Sequence, residues 1–136
     1  MKIFVDTNVV LDVLEKREPF LEKSQEVISA MVDDSFEIYI SALSVANILY
    51  VVRKKTKENR KEILKIIKSI FIITTLDENI LETAMETEFK DYEDGLQFIS
   101  AKQSDCEAIV TRNKKDFSES TINVFTPEEF LEFYEL

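Results

Sequence analysis

The chain has no histidine, one cysteine and one glycine among its 136 residues, and each shortage removes a class of chemistry. Without histidine there is no Ser-His-Asp triad, no imidazole base and no His-ligated zinc, and Cys106 alone supplies neither a thiolate zinc site nor an internal disulfide. The lone Gly95 cannot build a phosphate-cradling loop or a dinucleotide fingerprint. Long apolar runs are also missing. The greasiest stretch, Ile63 to Leu76, is broken by Lys65, Lys68 and Ser69, which excludes a membrane span and a membrane partner. The start carries one Lys and then a carboxylate within its apolar run, unlike a secretory signal, so a cytoplasmic protein is expected.

Carboxylates, hydroxyls, amides, Lys and Arg are left to perform any reaction. Acids are in surplus, with a net charge of −10, so nucleic acid should meet local basic patches rather than the whole surface. An apolar content of 45% suits a globular core, and no linker-like stretch divides the chain, so residues 1–136 should form one domain.

Residues 3–5 are apolar β-formers running into Asp6, after which Thr7 or Asn8 can cap a helix reaching about Glu15. A carboxylate at the end of a buried strand is costly without a cation. A second helix should open with Pro19 at its first position and bury Phe20, Leu21, Val27, Ile28, Met31 and Val32 on one face. Phe36, Ile38 and Ile40 read as a strand. Ser41 should cap a helix, Ala42 to Val52, buried on most sides with Asn47 as its one polar interruption.

Thr56 caps a helix to Lys68, Ile70 to Thr74 reads as a strand, and Asp77 caps a helix with Ile80, Leu81, Ala84, Met85, Glu88 and Phe89 on one face. Asp91 should cap a helix burying Tyr92, Leu96 and Ile99. Glu107 to Thr111 is a strand, Asn113 to Phe117 a helical turn, Ile122 to Phe125 a short strand, and Thr126-Pro127-Glu128-Glu129 opens a final helix to Tyr134. Alternating strands and helices predict an α/β domain with a mainly parallel sheet, whose sites lie beyond the carboxyl ends of the strands.

Asp6 at the end of the first strand, Asp94 in a first helical turn and Asp116 beyond a late strand could gather at one sheet edge. Like charges that close resist ionising together unless a divalent cation holds them, and oxygen-only donors suit Mg²⁺ or Mn²⁺. Glu93 is either a solvated acid or a reserve ligand. Asn47 is either a satisfied core amide or a site residue, and Gly95 allows a close contact that serves packing or substrate access.

The segments Phe4-Val5-Asp6-Thr7-Asn8, Ser41-Ala42-Leu43-Ser44, Asp91 to Ala101 and Ile109 to Phe117 together resemble a PIN domain, in order along the whole chain. Single-domain proteins of this size look like the VapC-type toxins of toxin–antitoxin pairs. The resemblance implies a three-layer α/β/α sandwich and a Mg²⁺-dependent endoribonuclease. It makes Asp6, Asp94 and Asp116 the metal-binding and catalytic acids, with Thr7, Asn8, Thr111 and Asn113 as polar supports. The family commonly has a Glu where this chain has Asn47, so either Glu93, beside Asp94, compensates or catalysis is lost.

The implied reaction is metal-assisted hydrolysis of an RNA phosphodiester. Arg112, Lys114 and Lys115 are the substrate candidates nearest the acids. Eight of the seventeen Lys and Arg residues fall between Arg53 and Lys68, as a phosphate track or as a solvated helix face. Apolar faces of the early helices are expected to receive an antitoxin or a second copy of the chain. The rival readings are a noncatalytic PIN-like protein-binding module, suggested by Asn47, and a phosphoacceptor receiver domain, which these motifs fit poorly.

Overall fold

A computed structural model describes residues 1–52 and 57–136. In chain order the elements are β1 (Lys2–Val5), α1 (Thr7–Leu14), α2 (Leu21–Asp33), β2 (Glu37–Ser41), α3 (Ala42–Val51), α4 (Lys57–Ile70), β3 (Ile72–Thr74), α5 (Glu78–Met85), α6 (Tyr92–Gln103), β4 (Ala108–Val110), a 3-10 turn (Lys114–Phe117), β5 (Asn123–Phe125) and α7 (Pro127–Phe133). The strands form one parallel sheet in the order β3-β2-β1-β4-β5. No helix among the described residues is long and apolar enough to cross a membrane.

Helices cover both faces, which is why β1 and β4 are apolar without alternation. Ile3, Val5, Ala108 and Val110 point into one core with Val9, Val27, Met31, Ile48, Ile67 and Phe130, placing α1, α2, α3, α4 and α7 on that side. Phe4 and Ile109 point into the other, with Ile80, Leu96, Phe98, Ile99 and Phe117 from α5, α6 and the 3-10 turn. The result is the expected three-layer sandwich. The chain runs outward from β1 through β2 to β3, then returns to β4 on the other side of β1. A crevice therefore opens at the carboxyl ends of β1 and β4, where strand order reverses.

Most helix starts obey local capping chemistry. The side chains of Ser41, Asp77 and Asp91 accept from Ser44, Ile80 and Asp94 N–H, and Thr126 with Glu129 forms a capping box. The expected cap at Thr56 lies outside the described residues. Two starts differ from expectation. Asp6 itself caps α1, its Oδ1 accepting Thr7 N–H at 2.8 Å, because the chain enters the helix directly from the strand and leaves Thr7 no room to precede it. Pro19 is not the first helical residue. It follows a cis peptide bond in a turn where Arg17 carbonyl accepts the N–H groups of Phe20 and Leu21, so α2 begins two residues later.

Several apolar side chains expected inside are outside. Phe20 and Val32 are exposed, as are Leu81, Met85 and Tyr92. α5 ends at Met85, which takes Glu88 and Phe89 off its face, and Tyr92 turns its hydroxyl onto Leu81 carbonyl at 2.8 Å. α3 is buried on one side only, with Ser44, Val45 and Ile48 inside and Tyr50 65% exposed. Gly95 is a matter of packing: a Cβ there would stand 3.0 Å from Thr87 Oγ1 and 3.5 Å from Phe89 Cβ.

The first core also holds a charge the sequence reading overlooked. Asp12 on α1 is fully buried, and Arg112 grips it with both ends of its guanidinium, Nε to Oδ2 at 2.7 Å and Nη2 to Oδ1 at 3.1 Å. Ser24 Oγ donates to the same carboxylate at 3.0 Å, and the Phe20 ring lies 3.9 Å from the guanidinium carbon. Such a bidentate pair fixes geometry, and removing one partner strands a buried charge. Arg112→Ala is expected to cost about 3 kcal/mol in urea unfolding at pH 7. Lys114→Ala, which deletes an exposed 3.1 Å pair with Glu129, is expected to cost less than about 1 kcal/mol. Equal effects would show that Arg112 does not fasten α1 to the segment after β4.

Candidate active site

The crevice at the ends of β1 and β4 is a polar hollow of about 220 Å³ lined by Asp6, Thr7, Asn8, Leu43, Asn47, Glu93, Asp94, Gln97, Asn113 and Asp116. Five segments build it, α1 contributing Thr7 and Asn8. β1 delivers Asp6, whose N–H is fixed on Val110 carbonyl of β4 at 3.0 Å. The segment after β4 delivers Asn113 and Asp116, α3 delivers Asn47 on its half-buried side, and α6 delivers Glu93 and Asp94 from its first turn with Gln97 one turn later.

Asp6 is 8% exposed and held at both oxygens: Oδ1 by Thr7 N–H, Oδ2 by the hydroxyl of the fully buried Thr111 at 2.8 Å. Thr111 Oγ1 in turn accepts Asn113 N–H at 3.0 Å, so one hydroxyl orients the acid and shapes the next turn. Burial pushes the Asp6 carboxyl above its ordinary range. The bonds from Thr111 and Thr7 and the nearby Gln97 amide pull it back, and Asp116 adds repulsion. The Asp94 carboxyl is pushed up to about 7, first by partial burial and then by the charges of Asp91, Asp116, Asp6 and Glu93. Asp116 is exposed at the rim.

The expected residues are thus divided by the fold. Asp6, Asp94, Asp116, Thr7, Asn8, Asn47, Glu93 and Asn113 share the hollow, and Thr111 lies beneath it. Arg112 does not line it, because Asp12 holds its guanidinium on the other side of the strand end. Lys114 is paired with Glu129. Lys115 lies in an adjoining hollow of about 170 Å³ with Phe89, Lys90, Asp91, Ser118 and Glu119, which shares Asp94 and Asp116 as its border. Gln97 has no role in the sequence expectations, and Ser41 and Ser44 figure there only as a helix cap and as part of the helix-opening segment. Their signal was present: a Gln between Leu96 and Phe98, and two Ser residues opening an apolar helix.

The donor set fits a hard divalent cation in kind: carboxylate and amide oxygens, with carboxylates that repel one another and raise each other's affinity for a positive charge. Among the described residues, no three acidic, Cys or His side chains stand close enough to grip one ion together.

Comparison with known proteins is consistent with this geometry. A family model described as the PIN domain matches residues 2–115. Ribonuclease VapC1 of Aquifex aeolicus (strain VF5) is 32% identical over 136 residues, covering 96% of this chain and 94% of that protein. Two solved structures share the fold at 22% identity. FitAB bound to an IR36 DNA fragment superposes with a TM-score of 0.72 over 92% of this chain and 94% of that one. A toxin–antitoxin complex from Klebsiella pneumoniae does so with a TM-score of 0.69 over 92% and 97%.

The Asp94 shift has a consequence for stability without metal. Its folded carboxyl titrates near about 7 against an ordinary 3.8, so the folded state binds the proton more tightly than the unfolded chain. That contribution is fully present below about pH 3.8 and is lost as pH rises through about 7. Asp94 is partly solvated, so the effect is expected at about 1 kcal/mol, or about 3 °C in Tm. In chelator at pH 8, Asp94→Asn should melt higher than the wild type by that amount, with the gap closing towards pH 4. A gap that is absent, inverted or independent of pH overturns the repulsion.

Proposed function

The chain belongs to the PIN domain family, and from that premise we propose that it is a metal-dependent endoribonuclease, the toxin of a toxin–antitoxin pair. The observation that carries the reading is the convergence of Asp6, Asp94 and Asp116 on one polar hollow at the point where strand order reverses. The similarity of the chain to ribonuclease VapC1 and to a protein of a toxin–antitoxin complex supports it.

Asp6 and Asp94 would hold Mg²⁺ or Mn²⁺ directly, Asp116 and Glu93 would add charge from the rim, and Asn47 and Asn113 would offer neutral oxygens. When bound, the ion supplies a coordinated water of lowered pKa and neutralises charge on the scissile phosphate. Asp6 enters that role already oriented, since Thr7 N–H and the Thr111 hydroxyl occupy one lone pair on each oxygen. Thr7, Asn8 and Thr111 act as supports, shaping the wall rather than reacting. No side-chain nucleophile is needed.

RNA would run from this hollow into the adjoining one. Lys90 and Lys115 stand there without a carboxylate partner among the described residues, whereas Lys114 and Arg112 are occupied. The apolar residues exposed along the early helices, Phe20, Val32 and Tyr50, are the surface this reading offers to an antitoxin or a second copy. Nothing in this reading requires a compartment other than the cytoplasm.

The noncatalytic alternative rests on Asn47, which brings an amide into the hollow where the family commonly has an acid. Cleavage of varied RNAs in Mg²⁺ or Mn²⁺ decides between the two. The wild type is expected to cut, and Asp6→Asn with Asp94→Asn to cut at least ~100-fold more slowly, the scale of losing preorganised charge at a reacting centre. Equal cutting removes the hollow from the mechanism, and no cutting by the wild type favours the binding module. Lys90→Ala with Lys115→Ala should raise KM for RNA, hold kcat, and flatten the slope of log affinity against log salt by roughly 0.7 per lost phosphate contact. An unchanged slope places the strand elsewhere.

A further inference from the structure

At the floor of the hollow, with Thr7 and Gln97 reaching its lining, lies a connected set of polar side chains to which the proposed reaction assigns no chemical step. Gln97 is 4% exposed, Ser41 2% and Ser44 0%. Gln97 Nε2 donates to Ser44 Oγ at 2.6 Å and to Thr7 Oγ1 at 3.2 Å, and its Oε1 accepts the Ser41 hydroxyl. Thr7 Oγ1 and Ser44 Oγ are themselves 2.6 Å apart, and Ser41 Oγ lies 3.1 Å from Ser44 Oγ while accepting Ser44 N–H at 2.9 Å. Both amide hydrogens of Gln97 are thereby used and its oxygen is engaged, so it has no donor left for a substrate.

The placement of these groups is informative. Thr7 directly follows Asp6. Ser44 precedes Asn47 by three residues on α3, and Gln97 follows Asp94 by three on α6, spacings that put each pair on one helix face. Thr7, Ser44 and Gln97 are thus each the neighbour of one side chain lining the hollow, on three segments separated by tens of residues in sequence. An apolar residue at position 97 would bury as well and carry no risk of an unsatisfied group, whereas a polar network that is fully paired specifies one arrangement.

We propose that Gln97 is a positioning residue: its buried amide fixes the register of α1, α3 and α6 against one another and so sets the spacing of Asp6, Asn47 and Asp94 around the hollow. The inference rests on the reading of the hollow as a metal-dependent ribonuclease site only for its effect on rate, not for the coupling of the three walls.

Gln97→Met keeps length and volume and deletes every donor and acceptor. Gln103→Met, on the exposed end of the same helix, is the control. In metal-free protein, hydrogen–deuterium exchange over residues 6–9, 41–47 and 92–97 is expected to rise together, at least ~5-fold, in Gln97→Met and to stay level in Gln103→Met. A rise confined to 92–97, or none, overturns the coupling. Mn²⁺ binding without RNA, followed by electron paramagnetic resonance, should weaken at least ~10-fold. With RNA, kcat should fall at least ~10-fold while KM stays within about 2-fold. A raised KM with unchanged kcat and Mn²⁺ affinity overturns positioning. If Gln97→Met shows no cooperative unfolding, Ser44→Ala, which removes the hydroxyl shared by Thr7 and Gln97, is read by the same measurements. A wild type that neither binds Mn²⁺ nor cuts RNA refutes the ribonuclease reading, and the exchange result then still decides for or against the coupling.

Discussion

The site depends on how one carboxylate is held. Asp6 lies at the end of the central strand, almost out of solvent, and is kept there by a backbone N–H and a threonine hydroxyl, with no ion pair to a cationic side chain among the described residues. Neutral donors orient a carboxylate but do not cancel its charge, and here burial still outweighs them, leaving the carboxyl above its ordinary range. Its bond to Thr111 also crosses from β1 to β4, at the reversal in strand order that opens the crevice. The interaction that orients Asp6 is the one that closes the floor of the site.

The contrast with Asp12 shows that this is a choice of environment. Six residues further along the same strand–helix unit, a fully buried carboxylate receives a bidentate arginine and a serine hydroxyl. The fold can evidently bring a guanidinium to a buried acid, and it brings one to Asp12 from the residue immediately after Thr111. Thr111 faces Asp6 and Arg112 faces Asp12, so adjacent residues serve opposite purposes: one leaves a charge unmatched at the crevice, the other matches a charge in the core. A carboxylate neutralised by arginine is structural, whereas one oriented by neutral donors near other acids is open to an external cation.

Local chemistry was legible in the sequence and distant chemistry was not. Caps at Ser41, Asp77, Asp91 and Thr126, the apolar β1 and β4, and the place of Asp6, Asp94 and Asp116 each beside the end or start of an element follow from residues within a few positions of each, whereas the meeting of the three acids follows from the alternation of strands and helices and from the family resemblance. Pro19 was misplaced because a helix-starting preference competes with a turn held by Arg17 carbonyl, which has no sequence signature. Arg112 looked like a substrate contact because its partner stands 100 positions earlier. Gln97 was passed over because its value lies in hydroxyls from two other segments, and between Leu96 and Phe98 a single Gln carries little pattern. Faces failed where helices end early, as at Met85, since periodicity assumes that the helix continues.

Asn47 is best weighed by the charge that remains. Its amide removes one negative charge from the α3 wall, yet Asp6, Glu93, Asp94 and Asp116 still line the same hollow. Partial burial first, and then the charges of Asp91, Asp116, Asp6 and Glu93, push the Asp94 carboxyl up to about 7, so a further acid in the hollow would meet repulsion already present there. A fifth acid would increase both the attraction for a divalent ion and the cost of keeping the acids apart before it arrives. An amide oxygen offers a ligand without that cost. An amide at position 47 would therefore lower the pull on a divalent ion while four carboxylates still line the hollow.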